Sequence, residues 1–355
     1  MAVVEGLKEN NEREELIPGL PNEIAELCLL HVPYPYQALA RSVSSSWNRA
    51  ITHPSFVVSK NTLSNPHLFV LAFHRQTSRI QWQALDPSSK RWFVLPQMPL
   101  PEGVCPTAFA CASLPKQGKL FVMAGMNSDA EAPMRTALVY RAATNQWSEA
   151  SAMPGGRSFL AAESVNGKIV GVGRSGTDIY DAESDTWRRG KGLEGELGRC
   201  EATVVGGRML VTEGWWWPFT FRPRGWSYEV ERDTWREMGV GMRDGWTGVG
   251  VAVMGRVLVI AEYGDCPVKV YDEDSDTWRC VGGDRFPREQ MQRPFAARGL
   301  DDRIYVVSSG LNVAVGSVTV NQKGRGYGVV VTWQVVEAAE AFRGFSPFSC
   351  QVLYA

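Results

Sequence analysis

Histidine is scarce in this sequence and missing from most of it. The chain of 355 residues has four histidines, and none follows residue 74. Histidine-based metal sites and Ser–His or Cys–His nucleophile pairs are therefore excluded from nearly all of the chain. The sequence also has no Gly-rich phosphate loop between a predicted strand and a predicted helix. We therefore expect no catalytic residues, no metal and no cofactor.

Paired cysteine motifs are also missing. The seven cysteines are odd in number and scattered, and no two of them form a CxxC motif. Zinc sites and redox-active dithiols are recognised by such close spacing. We expect the cysteines to be reduced, buried, small apolar side chains rather than disulfides or zinc ligands.

The sequence lacks both a long apolar run and an excess of charge of one sign. No stretch is long enough to span a bilayer, and residues 1–14 are charged, without the apolar core of a secretory signal. The formal net charge is −1, which gives no bulk attraction to nucleic acid or to an anionic membrane. We expect a disordered N-terminus over residues 1–14, a nuclear or cytoplasmic protein, and no nucleic-acid or membrane partner.

What the sequence has instead is a repeat. The stretch YDAESDTW (Tyr180–Trp187) returns as YEVERDTW (Tyr228–Trp235) and YDEDSDTW (Tyr271–Trp278), and more loosely as YRAATNQW (Tyr140–Trp147). The Trp follows the Tyr by 7 residues in every copy. The polar residues between them suit a tight turn, so each copy predicts one strand around the Tyr and one around the Trp.

A second recurring element lies ahead of each Tyr. Short apolar runs such as GKIVGVGR (167–174) recur at intervals of 40 to 49 residues, each preceded by small residues as in SFLAAESV (158–165). Short apolar runs bounded by Gly are typical of buried strands. A unit of four strands with a period of about 50 residues resembles the kelch repeat, whose units stack radially into a β-propeller.

Five units are complete, and a sixth lies at the front without its first strand. The stretches HLFVLAFHR, RIQWQALD and KRWFVLP supply three strands of this unit, and the last residues of the chain form a strand with no other partner. We predict that residues 349–354 complete this first blade and close the ring, since closure leaves no free sheet edge. The predicted fold is an all-β, six-bladed kelch-type β-propeller over residues 61–355.

A helical segment is predicted ahead of the propeller, over residues 15–60. Pro21 suits the first turn of a helix, and Pro33 and Pro35 end it. Apolar residues recur at helical spacing in two stretches, with Ile24, Leu27 and Cys28 in the first and Leu39, Val43 and Trp47 in the second. Two or three short helices bury little surface alone, so the segment needs a partner or a neighbouring domain. It is either a cap on the propeller or a docking module.

The order of residues in this segment resembles the F-box. The matching features are the Leu-Pro start (Leu20 and Pro21), the apolar helical positions, the Val32-Pro33 pair and the late Trp47. That family usually has a basic residue shortly before the Trp, and Ser44–Ser46 occupy that region here. An F-box docks onto a Skp-type adaptor of a cullin-based ubiquitin ligase. The adaptor-binding residues that the resemblance implies are Leu20, Pro21, Ile24, Cys28, Leu39, Val43 and Trp47.

Together, the two parts resemble the plant F-box/kelch-repeat family over nearly the whole chain. The likeness rests on several stretches in the same order, among them LCLLHVPYPYQALARSVSSSWN, TEGWWWPF and GMRDGWTGV. It implies a non-catalytic substrate receptor of a Skp/cullin/F-box ubiquitin ligase, with a role in phytochrome (far-red) light signalling. The alternative is a kelch interaction scaffold that recruits no ligase.

A target protein is expected to bind the loops that differ between blades. In a meander of four antiparallel strands, named a to d from the axis outward, the b–c and d–a connections share one face of the ring. Aromatic residues and arginines, which are frequent anchors of interfaces, occur in these connections, and arginines around the channel mouth suit an acidic peptide. Alternatively, these side chains pack against neighbouring blades or bond loop carbonyls. The candidate target-binding residues are Arg157, Arg199, Trp215, Trp216, Trp217, Arg222, Trp246 and Arg293.

Overall fold

The structure of the protein is a computed structural model. It describes residues 15–355 apart from residues 102, 106, 175, 194–196, 199, 215–221 and 322–327, and for Asn321 it describes only the backbone. The predicted disorder of residues 1–14 therefore lies outside the described residues. Within the described residues, the chain forms an N-terminal helical segment followed by a ring of six sheets.

Four helices make up the N-terminal segment, and they are α1 (Asn22–Leu30), α2 (Tyr36–Ala40), α3 (Ser45–Thr52) and α4 (Pro54–Leu63). A short fifth helix, α5 (Val240–Asp244), connects two blades of the ring. None of the described helices is long and apolar enough to cross a membrane. The sequence predicted two or three helices before the ring. It missed α4 because the apolar residues of that helix do not gather on one side.

The ring consists of six blades, each built on a four-stranded antiparallel meander. In order from strand a to strand d they are Phe345–Tyr354, Pro66–His74, Ile80–Asp86 and Arg91–Val94 (blade 1); Phe109–Leu114, Lys119–Ala124, Ala137–Arg141 and Gln146–Glu149 (blade 2); Ala161–Val165, Lys168–Gly173, Gly176–Asp181 and Thr186–Gly190 (blade 3); Cys200–Val205, Arg208–Glu213, Arg224–Glu229 and Thr234–Glu237 (blade 4); Gly248–Val253, Arg256–Ala261, Val268–Asp272 and Thr277–Cys280 (blade 5); and Gln292–Leu300, Arg303–Ser309, Val313–Asn321 and Gly328–Val336 (blade 6). Gly282–Gly283 adds a short parallel strand to blade 6, and Met126–Asn127 pairs with Ala132–Pro133 within the b–c loop of blade 2. The predicted six-bladed propeller is confirmed.

The C-terminal strand closes the ring, as predicted. It forms strand a of blade 1 and pairs with strand b of the same blade, so that Ser349 lies opposite Leu71 and Val352 opposite Leu68. The strand extends over residues 345–354 and is therefore longer than the predicted residues 349–354. The first and last parts of the propeller therefore share one sheet.

The repeated Tyr and Trp face each other across strands c and d. Tyr180 lies opposite Trp187 in register, and the other three copies pair in the same way. The two rings are in contact in each copy, with centroids 4.6 to 5.4 Å apart. The Tyr hydroxyl donates to the Asp or Asn of the c–d turn, as in Tyr180 to Asp185 at 2.6 Å. The interval of 7 residues is therefore the length of one hairpin closed by its own polar turn.

The same hairpin also fastens each of blades 2 to 5 to the preceding blade. The Trp278 indole donates to the carbonyl of Met242, in the connection that leaves blade 4, at 3.0 Å. Asp276 accepts the Tyr271 hydroxyl and the backbone N–H groups of Gly241 and Met242 at 2.7 to 2.9 Å. The indoles of Trp147, Trp187 and Trp235 bond in the same way to the carbonyls of Pro96, Ser151 and Lys191. The repeated motif is thus a clip between successive blades.

Replacing Asp276 with Ala is expected to lower the free energy of unfolding by about 2 kcal/mol, because three buried or half-buried donors lose their acceptor. The hydrogen bond from the Tyr271 hydroxyl is the largest of the effects that lower the pKa of the Asp276 carboxyl. The hydrogen bonds from the two backbone N–H groups lower this pKa further. The contribution of this carboxylate to the free energy of unfolding is therefore present above about pH 4 and is lost as the pH falls below that value. Urea denaturation at neutral pH measures the effect. Asp274→Ala in the same turn is the control, and an equal effect of both substitutions would contradict the clip.

A disulfide joins two of the cysteines, contrary to the expectation from the sequence. Cys266, ahead of strand c of blade 5, bonds to Cys280 at the end of strand d. The two residues are 14 positions apart in sequence, but the hairpin brings their Cα atoms within 5.8 Å, which is in the usual range for a disulfide. The other described cysteines are unbridged, with Cys111, Cys200 and Cys350 buried, Cys105 half-buried and Cys28 exposed.

An ion pair crosses the central channel of the ring. Strands a of the six blades line a cavity of about 150 Å³ on the axis. Arg298 of blade 6 donates a hydrogen bond to the buried Glu163 of blade 3, on the opposite side of the ring. The two charges compensate each other away from water. The ion pair joins opposite blades and occupies the channel.

Candidate functional site

The N-terminal helices have a small core of their own. Leu29, Ile51 and Phe56 are buried together, and Trp47 packs against them from the edge. The Trp47 indole also donates a hydrogen bond of 2.5 Å to the carbonyl of Leu16. Trp47, which the sequence assigned to the adaptor surface, is therefore half-buried and fixes the first described residues against α3.

The second predicted helical stretch is two helices rather than one. A break at residues 41–44 separates α2 from α3. The Ser44 hydroxyl caps the N-terminus of α3 by accepting a hydrogen bond from the backbone N–H of Trp47 at 3.1 Å. Serine is among the residues most favoured at this N-cap position. Leu39, Val43 and Trp47 therefore do not form one continuous helical stripe, although their spacing suggested it.

Apolar side chains are exposed on the outer side of this segment. Of the ten large apolar side chains that are exposed among the described residues, seven belong to residues 15–63. Two of the predicted adaptor contacts, Leu39 and Val43, are 67% and 64% exposed. Exposed apolar groups gathered in one region indicate a binding surface.

The other predicted adaptor contacts lie at and near α1. Ile24, Leu27 and Cys28 share one side of this helix and are all exposed. Pro21, just before the helix, is exposed as well, whereas Leu20 is half-buried. The structure therefore presents most of the predicted adaptor-binding residues to a partner.

The helical segment is packed directly against the propeller. Tyr34 is 3% exposed, and its hydroxyl lies 2.7 Å from that of Tyr140 in blade 2. Its ring makes edge-on contacts with Phe69 and Phe93 of blade 1. Burial in this contact raises the pKa of the Tyr34 hydroxyl. Two residues separate α4 from strand b of blade 1, so the connection is short as well as packed.

Lys60 and Asn61 connect helix α4 to two neighbours, the end of α1 and blade 2. The buried Lys60 ammonium donates to the carbonyls of Leu30 and Val32, at the end of α1, at 2.9 Å each. Burial lowers the pKa of Lys60 to about 8. Asn61 donates to the carbonyl of Lys116, in the a–b turn of blade 2. Helix α4 therefore ties the helical segment to the ring.

These contacts lie on the face of the ring that carries the a–b and c–d turns. A cavity of about 110 Å³ remains between the two parts, lined by Ile51 and Phe56 on one side and by Ala142 and Tyr354 on the other. Because the meander alternates direction, the b–c and d–a connections are on the opposite face. The helical segment and the described parts of the predicted target loops are therefore on opposite faces of the ring.

Arg157, a predicted target-binding residue, is an internal ion-pair partner. Its side chain is 7% exposed, and its Nε donates to Asp178 Oδ2 at 2.7 Å. Asp178 lies in strand c of blade 3 and is fully buried. The charge of Arg157 is therefore neutralised within the fold. The expectation that it is a free cation for an acidic peptide is wrong.

Trp246, also predicted at the target surface, belongs to the core between blades 4 and 5. It is 1% exposed, packs with Met242 of α5, and contacts Trp278 edge-on with centroids 5.8 Å apart. Gly250 leaves the space that this ring needs, since a Cβ there would lie 2.3 Å from it. The alternative interpretation, packing against a neighbouring blade, is the correct one for Trp246.

Arg222 and Arg293 are exposed on the loop face, and each has a partner. Arg222 lies 3.5 Å from the carboxylate of Asp244. Arg293 donates to the backbone carbonyl of Glu262, and its Nε lies 3.9 Å from the carboxylate of the same residue. The structure therefore does not assemble these arginines into an uncompensated cationic ring. The remaining candidates, Trp215, Trp216, Trp217 and Arg199, lie outside the described residues.

The residues that fix the helical segment to the ring were not predicted from the sequence. Tyr140 was recognised as a repeat position. Its hydrogen bond to Tyr34 joins residues 106 positions apart, and no local sequence pattern indicates such a contact. Lys60 gave a weak signal, because a cation sits in a helix whose neighbouring residues are mostly apolar or small.

Comparison with known proteins agrees with both parts of the structure. The F-box domain family matches residues 17–59. The chain is 50% identical to the F-box protein AFR of Arabidopsis thaliana, over 96% of this chain and 93% of that protein. It is 35% identical to the F-box/kelch-repeat protein At1g30090 of the same plant, over 96% of this chain and 87% of that protein. With its F-box helices and six-bladed ring, the chain belongs to the F-box/kelch-repeat family, and the predicted resemblance is confirmed.

Proposed function

We propose that this protein is the substrate-receptor subunit of a Skp/cullin/F-box ubiquitin ligase. F-box domains generally bind Skp-type adaptors, and F-box/kelch-repeat proteins generally act as substrate receptors. In this proposal the F-box docks the adaptor, which joins it to a cullin, and the propeller holds a target protein. The chain is not an enzyme. It acts by proximity, since a target held near activated ubiquitin reacts as if at high local concentration.

The observation that carries the proposal is the exposed apolar surface of the F-box. Leu39 and Val43 are about two-thirds exposed, while the neighbouring Ala40 is buried. Covering such side chains contributes about 25 cal/mol per Å² of apolar area, which a partner gains by binding there. The surface also lies on the far side of the ring from the b–c and d–a connections, so adaptor and target need not compete for space.

Co-purification with a Skp-type adaptor tests the proposal. Wild type is expected to form a complex. The double substitution Leu20→Ala with Pro21→Ala is expected to lose it, because the start of the F-box surface is truncated. A thermal melt checks that the propeller of the double mutant remains folded.

One outcome would contradict the predicted contact residues, and another would contradict the receptor role. A complex that survives the double substitution would show that Leu20 and Pro21 do not contact the adaptor. No complex with well-folded wild type would favour the alternative, a kelch interaction scaffold whose helices cap the ring.

We also propose a nuclear or cytoplasmic location and a role in phytochrome (far-red) light signalling. Support for the signalling role comes from the family resemblance and from the 50% identity to F-box protein AFR. A plant line lacking this protein is expected to show an altered seedling response to far-red light, restored by wild type but not by the Leu20/Pro21 double mutant.

A further inference from the structure

The disulfide of blade 5 lies where a thiol in solution can reach it. Cys280 is exposed at the end of strand d, and Cys266 is half-buried in the b–c loop of the same blade. Thiol–disulfide exchange requires that a thiolate reach one of the two sulfur atoms. This bond is therefore accessible to a small thiol.

The disulfide closes one end of the hairpin that strands c and d form. Strand d ends at Cys280. The other end of the hairpin is closed by the turn, where the Tyr271 hydroxyl donates to Asp276 at 2.7 Å. Reduction of the disulfide leaves the turn as it is and removes the covalent closure at the open end. A backbone hydrogen bond from Val281 to Val268, of 3.1 Å, remains there.

The chain that leaves the open end of this hairpin runs to blade 6. We call it the blade 5–6 connection, residues 281–291. Within it, Gly282–Gly283 adds a strand to the edge of blade 6, and the N–H of Asp284 donates to the carbonyl of Val331 at 2.9 Å. Phe286 is buried in the core that blades 5 and 6 share. The disulfide therefore anchors the start of a segment that covers the edge of blade 6.

Two arginines join the same parts of the molecule more weakly. The Arg288 guanidinium donates to the carbonyl of Gly264, in the b–c loop of blade 5, at 3.0 Å. Arg293, at the start of blade 6, donates to the carbonyl of Glu262 in that loop. Both arginines are exposed, so water can replace these hydrogen bonds at little net cost. The covalent bond is thus the strongest link between the b–c loop and the connection.

An accessible disulfide is unusual in the location proposed above for this protein. The nucleus and the cytoplasm hold a reducing pool of thiols, and disulfides found there are usually transient and serve redox sensing or catalysis. The sequence predicted reduced cysteines, whereas the structure shows this pair bonded. A bond that forms and breaks reversibly accounts for both the accessible position and the reducing location.

We propose that Cys266 and Cys280 are a redox switch that fixes or releases the blade 5–6 connection. For reduction, one glutathione thiolate attacks a sulfur of the disulfide and forms a mixed disulfide, which a second glutathione resolves. The products are two protein thiols, which carry the two protons, and glutathione disulfide. Excess glutathione disulfide takes the two electrons back in the reverse reaction.

The released segments belong to the loop face. In the reduced protein the blade 5–6 connection and the b–c loop of blade 5 move independently, so the surface that they present together is lost. The switch itself rests on the proposed location, and its effect on a bound target rests on the proposed receptor function.

Alkylation of the full chain in glutathione buffers tests the switch. Folded protein is equilibrated without oxygen at a series of ratios of reduced to oxidised glutathione, quenched with acid and alkylated, and its peptides are identified by mass spectrometry. We expect Cys266 and Cys280 to pass together from the disulfide to two free thiols as the share of reduced glutathione rises across the cytosolic range. A pair that stays bridged throughout this range, or is free even in excess oxidised glutathione, would overturn the switch.

Amide hydrogen exchange of the oxidised and reduced samples tests what the bond holds. Residues 281–291 are expected to exchange at least about tenfold faster after reduction, because the connection loses its anchor. Residues 150–160, the connection from blade 2 to blade 3, contain no cysteine and should exchange alike in both states. Cys280→Ser should behave like the reduced protein in both buffers. Cys105→Ser is the matched control, because Cys105 is unbridged, and it should keep the wild-type difference.

Equal exchange of residues 281–291 in the two states of wild type would overturn the proposed release. Both measurements use the chain alone, and adaptor co-purification measures the receptor role separately. If the redox response is present but no adaptor binds, the receptor role fails and the switch stands. If the adaptor binds and reduction changes nothing, the receptor role stands and the switch is wrong.

Discussion

Deletion of residues 349–355 is expected to abolish the cooperative unfolding transition of the propeller. These residues form most of strand a of blade 1, in which Cys350, Val352 and Leu353 are all buried. Burial of each large apolar side chain contributes about 1.5–3 kcal/mol, and the strand's backbone bonds are lost as well. The loss is a large fraction of the roughly 5–15 kcal/mol that holds a typical domain folded.

The C-terminal strand also bonds to both neighbouring blades, so its loss should not stay local. Gln351 bonds Ser113 and the carbonyl of Cys111 in blade 2, and Tyr354 bonds Asp301 in blade 6 at 2.6 Å. Circular dichroism and tryptophan fluorescence during heating measure the effect, with deletion of Ala355 alone as the control. A peptide of residues 345–355 added in excess should restore part of the transition. A truncated protein that melts like the full-length protein would contradict the closure.

Replacing Leu39 and Val43 with Asp is expected to weaken adaptor binding at least about 100-fold. Each substitution places a carboxylate where the partner offers an apolar surface, and a loss of this size corresponds to about 2.7 kcal/mol. The fold should be unaffected, because both side chains are more than 60% exposed in the free protein. Isothermal titration calorimetry with a purified Skp-type adaptor measures the change.

Val94→Asp provides the matched control for this double substitution. Val94 is 61% exposed, close to the exposure of Leu39 and Val43, but it lies in strand d of blade 1 rather than in the F-box. Its substitution should leave the adaptor affinity unchanged. Equal losses from Val94→Asp and from the F-box pair would show that general surface charge, and not the F-box surface, governs binding.

The blades could be predicted because the information for each one is local. The Tyr, the polar turn and the Trp stand within one hairpin, so their fixed interval is visible in the sequence. Closure could also be predicted, since one blade lacked strand a and the C-terminal residues had no other partner. The bonds that make the hairpin a clip were not predicted, because the carbonyl that Trp278 reaches lies 36 residues earlier, in the connection that leaves the preceding blade.

Side-chain roles at the loop face were harder to predict because they depend on long-range partners. In the sequence, Arg157 is an arginine in a loop that differs between blades. Only the fold shows that it forms an ion pair with Asp178. Trp246 has a place in the core because Gly250 leaves room for its ring and Met242 packs in the same cluster. The serine that caps α3 was noted as a departure from the F-box pattern, and its effect on the helix break was missed.

Amide hydrogen exchange of the full chain, with and without a purified Skp-type adaptor, is the most direct test of the proposed receptor. The adaptor is expected to slow exchange in α1 to α3, where the exposed apolar side chains lie. The described b–c and d–a connections, on the other face, are expected to exchange as in the free protein. Slower exchange across the loop face, or a complex that leaves α1 to α3 unprotected, would contradict a receptor that holds adaptor and target on opposite faces.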